Sequence, residues 1–163
     1  MQPRTEYSKV APRAIAAMSG LEEYLRTTDL EPRLLELVRM RASLINGCAY
    51  CVDMHSKDAR ACGETEQRLY AVSVWRETPF FSDRERAALA WTEAVTLIGE
   101  GHVTDEVYEE VRQHFNEKEL VELTLAVVAI NGWNRFALAF RTVPGTYSAE
   151  GRGSHERPDA SVR

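Results

Sequence analysis

Cys48, Cys51 and His55 form a Cys-x-x-Cys-x-x-x-His run, and Glu36 lies twelve residues ahead of it. On a helix, residues three, four and seven apart share a face, so both thiols and the imidazole would point the same way. Cys48 follows directly on Asn46-Gly47, a helix-stopping pair, and so opens the next helix. Free N–H groups and the positive end of the helix dipole favour a thiolate there. Two sulfurs and a base in one place suit peroxide chemistry. A thiolate attacks the O–O bond, leaving a sulfenic acid and releasing alcohol or water, and the neighbouring thiol condenses with that acid to a disulfide. An outside thiol or dithiol reductant then restores the pair by exchange, with no cofactor required.

Glu36 joins this group only if the chain turns. Along one straight helix it would stand about 18 Å from Cys48, at 1.5 Å per residue. If Asn46-Gly47 folds the chain back into an antiparallel hairpin, the counterpart of Glu36 falls near residue 57, beside His55. A carboxylate against the imidazole fixes its tautomer and raises its basicity, and His55 can then accept the Cys51 proton one turn away.

The elements that must hold these residues are helices, and no strand periodicity is present. Ile15, Met18, Leu21, Glu22 and Leu25 predict a helix from Pro12 to Arg26. Pro32 suits a first helical position, and Leu34, Leu35, Val38, Arg41, Ala42 and Ile45 mark the face of a second helix that Asn46-Gly47 ends. A third runs from Cys48 to Ala61, with Gly63 in the left-handed position after it, and a short one follows through Leu69 and Val74. Trp75 to Phe81 reads as a connection. Ser82 with Glu85 is a capping box for a helix through Trp91 and Leu97 that ends near Gly99 and Gly101. Thr104 caps another. Asn116 with Glu119 opens a long final helix, about 117 to 140, apolar around much of its circumference and so central or at an interface. Residues 1–145 form one all-α domain of antiparallel helix hairpins, and the polar residues 146–163 read as a mobile tail.

Composition narrows the function classes. The 163 residues carry a formal charge of −5, and the 17 arginines are interspersed with acids, which argues against a nucleic-acid partner. No run approaches eighteen apolar residues and the first ten residues carry no hydrophobic stretch of the signal-peptide kind, so neither a membrane nor a secretory route is expected. Three cysteines within fifteen residues suit local chemistry in a reducing, cytoplasmic setting better than a secreted disulfide framework.

At Glu36, Cys48, Cys51 and His55, with every spacing intact, the sequence resembles the alkylhydroperoxidase D and carboxymuconolactone decarboxylase superfamily, over roughly residues 32 to 100. The resemblance implies an all-α fold, assembly into trimers or hexamers, and peroxidase or disulfide-reductase chemistry. It further implies Cys51 as the attacking thiol, Cys48 as the resolving one, and Glu36 with His55 as the proton relay. The helix-terminus reasoning instead favours Cys48 as the stronger thiolate. Tyr50 stands where some members of the superfamily carry a histidine.

Other readings of these residues are a disulfide reductase or redox sensor, or a non-catalytic helical oligomer with structural or zinc-binding cysteines. A zinc site would draw on Cys48, Cys51, His55 and Cys62, although structural zinc sites favour separated knuckles in small loop-rich domains. Cys62 is expected as a partly buried helix-end residue outside the chemistry. Trp75, Phe80 and Phe81 are expected in core or interface packing rather than a pocket wall. The polar group from Asn131 to Arg135, with Gly132, is expected at an oligomer contact rather than the site wall. His102, His114 and His155 are expected to face solvent.

Overall fold

The computed structural model describes residues 1–149. The helices are α1 (Tyr7–Val10), α2 (Pro12–Leu25), α3 (Pro32–Asn46), α4 (Ala49–Ala61) and α5 (Glu66–Ala71), then a 3-10 segment, Val72–Glu77. After it come α6 (Asp83–Thr96), α7 (Ile98–Gly101), α8 (Asp105–Val111) and α9 (Glu117–Phe140). The described residues contain no strand, so the fold is all-α, as the periodicity predicts.

Two junctions explain why α3 and α4 double back. Gly47 takes φ +67°, a left-handed conformation that side chains other than glycine's resist, and its N–H closes on Leu44 O at 3.2 Å. Cys48 then caps α4, accepting from Cys51 N. At the other end of α4, Gly63 has φ +89°.

α3 is the hub, packed against α4, α6 and α9. On one side Leu34, Leu35 and Val38 pack with Ala87, Trp91, Leu123 and Val127. On the other, Leu37 and Met40 pack with Leu69, Val72, Trp75, Phe81 and Leu89. Truncating a residue as buried as Leu37 or Leu123 to alanine would cost about 2–5 kcal/mol. Both capping boxes form, Ser82 with Glu85 at α6 and Asn116 with Glu119 at α9. α9 is long and apolar enough to cross a membrane by length and composition, but here it packs through the bundle against α2, α3 and α6.

Several local expectations change. α1 has no sequence signature: four residues, no side-chain cap, no buried member. Tertiary contact supplies its support instead, since the Tyr7 ring lies 5.4 Å from those of Phe136 and Phe140. The short helix through Val74 breaks after Ala71 into the 3-10 segment, with Val74 itself at non-helical angles. Gly99 and Gly101 sit within α7 rather than ending α6. Trp75 and Phe81 are core residues and Phe80 is exposed.

The first residues of the expected tail are anchored. Tyr147 donates its hydroxyl to buried Asp58 at 2.6 Å, Lys57 donates to Tyr147 O at 2.9 Å, and Gly145 N donates to Asp53 at 3.0 Å. The segment before residue 150 therefore straps α4 rather than trailing from it. Residues 150–163, which include the rest of that tail and His155, lie outside the described residues.

Candidate active site

The α3–α4 hairpin brings together all four residues that the spacing singles out. Glu36 Oε2 lies 2.8 Å from His55 Nδ1, both side chains buried. A carboxylate only accepts, so Nδ1 carries the proton and Nε2 keeps the basic lone pair. Nε2 is buried and meets no hydrogen-bond partner among the described residues. One turn earlier on α4 stand Cys51 and then Cys48, free thiols that are each 1% exposed. They lie against Ala42 of α3 and Ile130 and Ala137 of α9, with Tyr50 and Trp133 packed on the outside.

The two thiols differ. Cys48 accepts from the Cys51 thiol and from Cys51 N–H, whose nitrogen is 3.4 Å from Sγ. Those bonds outweigh desolvation and hold Cys48 down at about 7. Cys51, whose proton is engaged by Cys48 and which is itself desolvated, is pushed well above the ordinary thiol range. Of the pair, Cys48 is therefore the more acidic thiol, the direction that the helix terminus predicts. Tyr50 is also raised, first by burial, and stays a protonated donor.

Glu36 is held ionised from behind. Burial pushes its carboxyl up, but the hydrogen bond from His55, the charge of that ring once it is protonated, and Arg39 outweigh burial and leave it below the ordinary value. Arg39 Nη1 donates to Glu36 Oε1 at 2.6 Å and Nη2 to Glu22 Oε2 at 2.7 Å. Trp133 Nε1 donates to the other Glu22 oxygen at 3.1 Å. A chain of charge-assisted bonds therefore runs from His55 through Glu36 and Arg39 to Glu22, tying α4, α3 and α2 together. Arg39 lies one turn after Glu36, and that i, i+3 pairing was the available sequence signal for it. Glu22, among the apolar positions of its helix, was a weaker one.

The amides of α9 are the larger miss. Asn134 is fully buried behind the dithiol, accepting from Asn46 Nδ2 at 2.8 Å and donating to Ser43 Oγ at 3.1 Å. Asn131 donates to Thr96 and to Val127 O. Asn134, buried within the single chain, therefore stands behind the site and not at an oligomer contact, while Asn131 and Trp133 are half-buried and Arg135 is exposed. Gly132 does mark a close approach, because a Cβ there would meet Met18 Cε at 2.7 Å.

Cys62 is exposed, not partly buried, and caps the far end of α4. Fourteen residues from Cys48, it is about 20 Å away along the helix. It therefore cannot complete a zinc tetrad with the other two cysteines. The metal-type donors that do converge are Glu36, His55 and Asp58, within 4.8 Å of one another. Their oxygens and Nδ1 are already engaged by Arg39, by Tyr147 and by the Glu36–His55 bond, an arrangement suited to proton handling more than to holding a cation. His102 is exposed and His114 half-buried.

Known proteins share this framework. The chain is 42% identical to the uncharacterized protein YdfG of Bacillus subtilis over 85% of this chain and 95% of that one. It is 32% identical to the uncharacterized protein YnjA of Escherichia coli, covering 68% of this chain and 60% of that one. A crystal structure from Agrobacterium tumefaciens, ATU0492, a protein of unknown function described as a candidate antioxidant-defence protein AhpD, superposes with a TM-score of 0.87. It is 44% identical, over 90% of this chain and 100% of that one. The debrominase Bmp8 shares the fold at 22% identity and a TM-score of 0.74, over 83% of this chain and 73% of its own. The carboxymuconolactone decarboxylase family model matches residues 12–94, which span α2 to α6 and include Glu36, Cys48, Cys51 and His55, and the chain belongs to that family.

Proposed function

We propose that the protein is a thiol-dependent peroxidase that reduces organic or hydrogen peroxides through a Cys48–Cys51 disulfide. The observation that carries this reading is the Glu36–His55 contact of 2.8 Å, which leaves a buried, unpartnered ring nitrogen one turn from a dithiol whose Cys48 member is the more acidic. Membership of the family and similarity to a candidate antioxidant-defence protein support it. With both sulfurs 1% exposed, a small oxidant suits the site better than a bulky disulfide.

The electrostatics support an order of events opposite to the one the resemblance implies. The Cys48 thiolate attacks the distal peroxide oxygen, the O–O bond breaks, and the alkoxide takes a proton from solvent and leaves as alcohol. Cys48 is then a sulfenic acid. His55 Nε2 accepts the Cys51 proton, the Cys51 sulfur attacks Cys48 as the S–O bond breaks, and the imidazolium returns the proton to the departing hydroxide, which leaves as water as the disulfide forms. Glu36, kept anionic by Arg39, stabilises the imidazolium in that step. A thiol or dithiol donor returns two electrons by exchange.

The chain would work as a homo-oligomer, a trimer or hexamer, in the reducing cytoplasm. Val121 and Val128 on the outer face of α9, 70% and 51% exposed, support a contact between copies, which light scattering tests. Peroxide consumption with dithiothreitol as donor tests the chemistry. Cys48→Ser should abolish turnover, and Cys51→Ser should allow one oxidation of Cys48 without a disulfide. Turnover that survives both substitutions would end the reading.

A further inference from the structure

Cys48 and Cys51 are each 1% exposed, so a reactant reaches either sulfur only past a side chain that covers it. Their apolar surroundings are Ala42, Ile130 and Ala137, all buried, and two partly exposed rings, Tyr50 and Trp133. Tyr50 belongs to the cysteine helix itself, whereas Trp133 comes from α9. Ile130, Trp133 and Ala137 stand at i, i+3 and i+7 of that helix, so the indole lies on the face that packs on the dithiol. Two contacts hold it there. Its Nε1 donates to Glu22 Oε1 at 3.1 Å, and the other Glu22 oxygen accepts from Arg39 Nη2 at 2.7 Å. Beside it the Phe136 ring stands 6.3 Å away, itself 5.4 Å from Tyr7 and 6.2 Å from Phe140. The indole is thus a half-buried cover over two buried thiols, tied by its N–H to a third helix and flanked by a row of rings.

We infer that Trp133 is a specificity-determining residue of the dithiol site: its indole, latched to Glu22, closes the entrance to Cys48 and Cys51 and selects small reactants over bulky ones. A packed wall discriminates by size, because a large reactant enters only by breaking the latch and displacing the ring, whereas a small one needs only a slight movement. Glu22 then serves two ends, holding the gate with one oxygen and supporting Glu36 through Arg39 with the other. The inference deepens the proposed function by naming its substrate class, hydrogen peroxide and small alkyl hydroperoxides, and rests on that reading only there. The closure itself is independent of the chemistry.

The test labels the full chain with N-methylmaleimide and with N-pyrenylmaleimide, which share a reactive group and differ in bulk, and maps the products to Cys48 and Cys62. Cys62, exposed at the far end of α4, reports the intrinsic reactivity of each reagent within the same molecule. Relative to Cys62, Cys48 of the unaltered protein should take the pyrenyl reagent about tenfold or more slowly than the methyl one, and Trp133→Ala should abolish most of that difference. Trp133→Phe keeps a ring but loses the N–H bond to Glu22, so it should relieve the difference in part, and it replaces the alanine variant if that one fails to fold. A general loosening of the fold would speed both reagents alike and leave their ratio in place. A folded Trp133 variant with an unchanged ratio therefore overturns the inference, as does an unaltered protein whose Cys48 takes both reagents equally. With hydrogen peroxide and cumene hydroperoxide as oxidants, the same variants should narrow the preference for the smaller one. If the unaltered protein consumes neither peroxide yet the labelling ratio shifts as stated, the proposed function fails and the gate stands.

Discussion

Glu36 Oε2 and His55 Nδ1 lie 2.8 Å apart across the α3–α4 hairpin, nineteen residues apart in sequence, and the pair is backed by Arg39 at 2.6 Å from the other Glu36 oxygen. Glu36→Gln keeps the shape but removes the charge that stabilises the imidazolium. Oxidation of the dithiol by peroxide near neutral pH should slow about tenfold to a hundredfold, while stability falls by about 1–3 kcal/mol. Stopped-flow oxidation and urea unfolding read the two effects.

The same carboxylate sets a pH dependence of stability. Its folded pKa is lowered, so its contribution is fully present above the unfolded value of 4.5 and is lost as pH falls through the lower folded value. The gap in urea midpoint between the unaltered protein and Glu36→Gln should therefore be constant from neutral pH down to the ordinary carboxylate range and close below it.

Arg39 is a positioning residue, 8% exposed and shared between Glu36 and Glu22. Arg39→Met leaves a buried carboxylate with half its support, at a cost of about 3 kcal/mol. Because the Glu36 carboxyl then rises toward its ordinary range or beyond, the acid limb of the pH–rate profile should move to higher pH. Loss of stability alone would not shift that limb.

Gly47 makes the hairpin at φ +67°, and nothing lies within 4 Å of a Cβ built on it. Gly47→Ala therefore meets only backbone strain, about 1 kcal/mol, and should fold with its thiols still reactive. Thermal unfolding and iodoacetamide alkylation check this.

Tyr147 reaches Asp58 on the strap that crosses α4. Tyr147→Phe leaves a buried carboxylate oxygen short of one donor and should lower stability by about 1–3 kcal/mol, read by urea unfolding. The Cys48 titration near pH 7 should be unaffected, since the strap meets α4 beyond the dithiol.

The hairpin and its four residues were legible in the sequence because each rests on a local rule. Asn46-Gly47 stops a helix, spacings of three and four choose a face, and a doubled-back chain pairs Glu36 with His55. The capping boxes at Ser82 and Asn116 were legible for the same reason. Asn134 was not, because the periodicity of an almost wholly apolar helix does not say which face turns inward, and only the packing of α9 behind α3 and α4 supplies that. Tyr7–Val10 and the docking of Tyr147 depend wholly on tertiary contacts, with ring partners more than 125 residues away in one case and a buried carboxylate 89 residues away in the other. The order of the thiols lay between these extremes. The N-cap position of Cys48 points to the more acidic thiol, and the packing that directs the Cys51 proton onto it adds a second reason in the same direction.

The most direct measurement is a count of free thiols after one equivalent of peroxide, followed by peptide mapping. Two of the three thiols should disappear together, as a Cys48–Cys51 disulfide, with Cys62 still free. An unchanged count, or a disulfide that includes Cys62, would contradict the account.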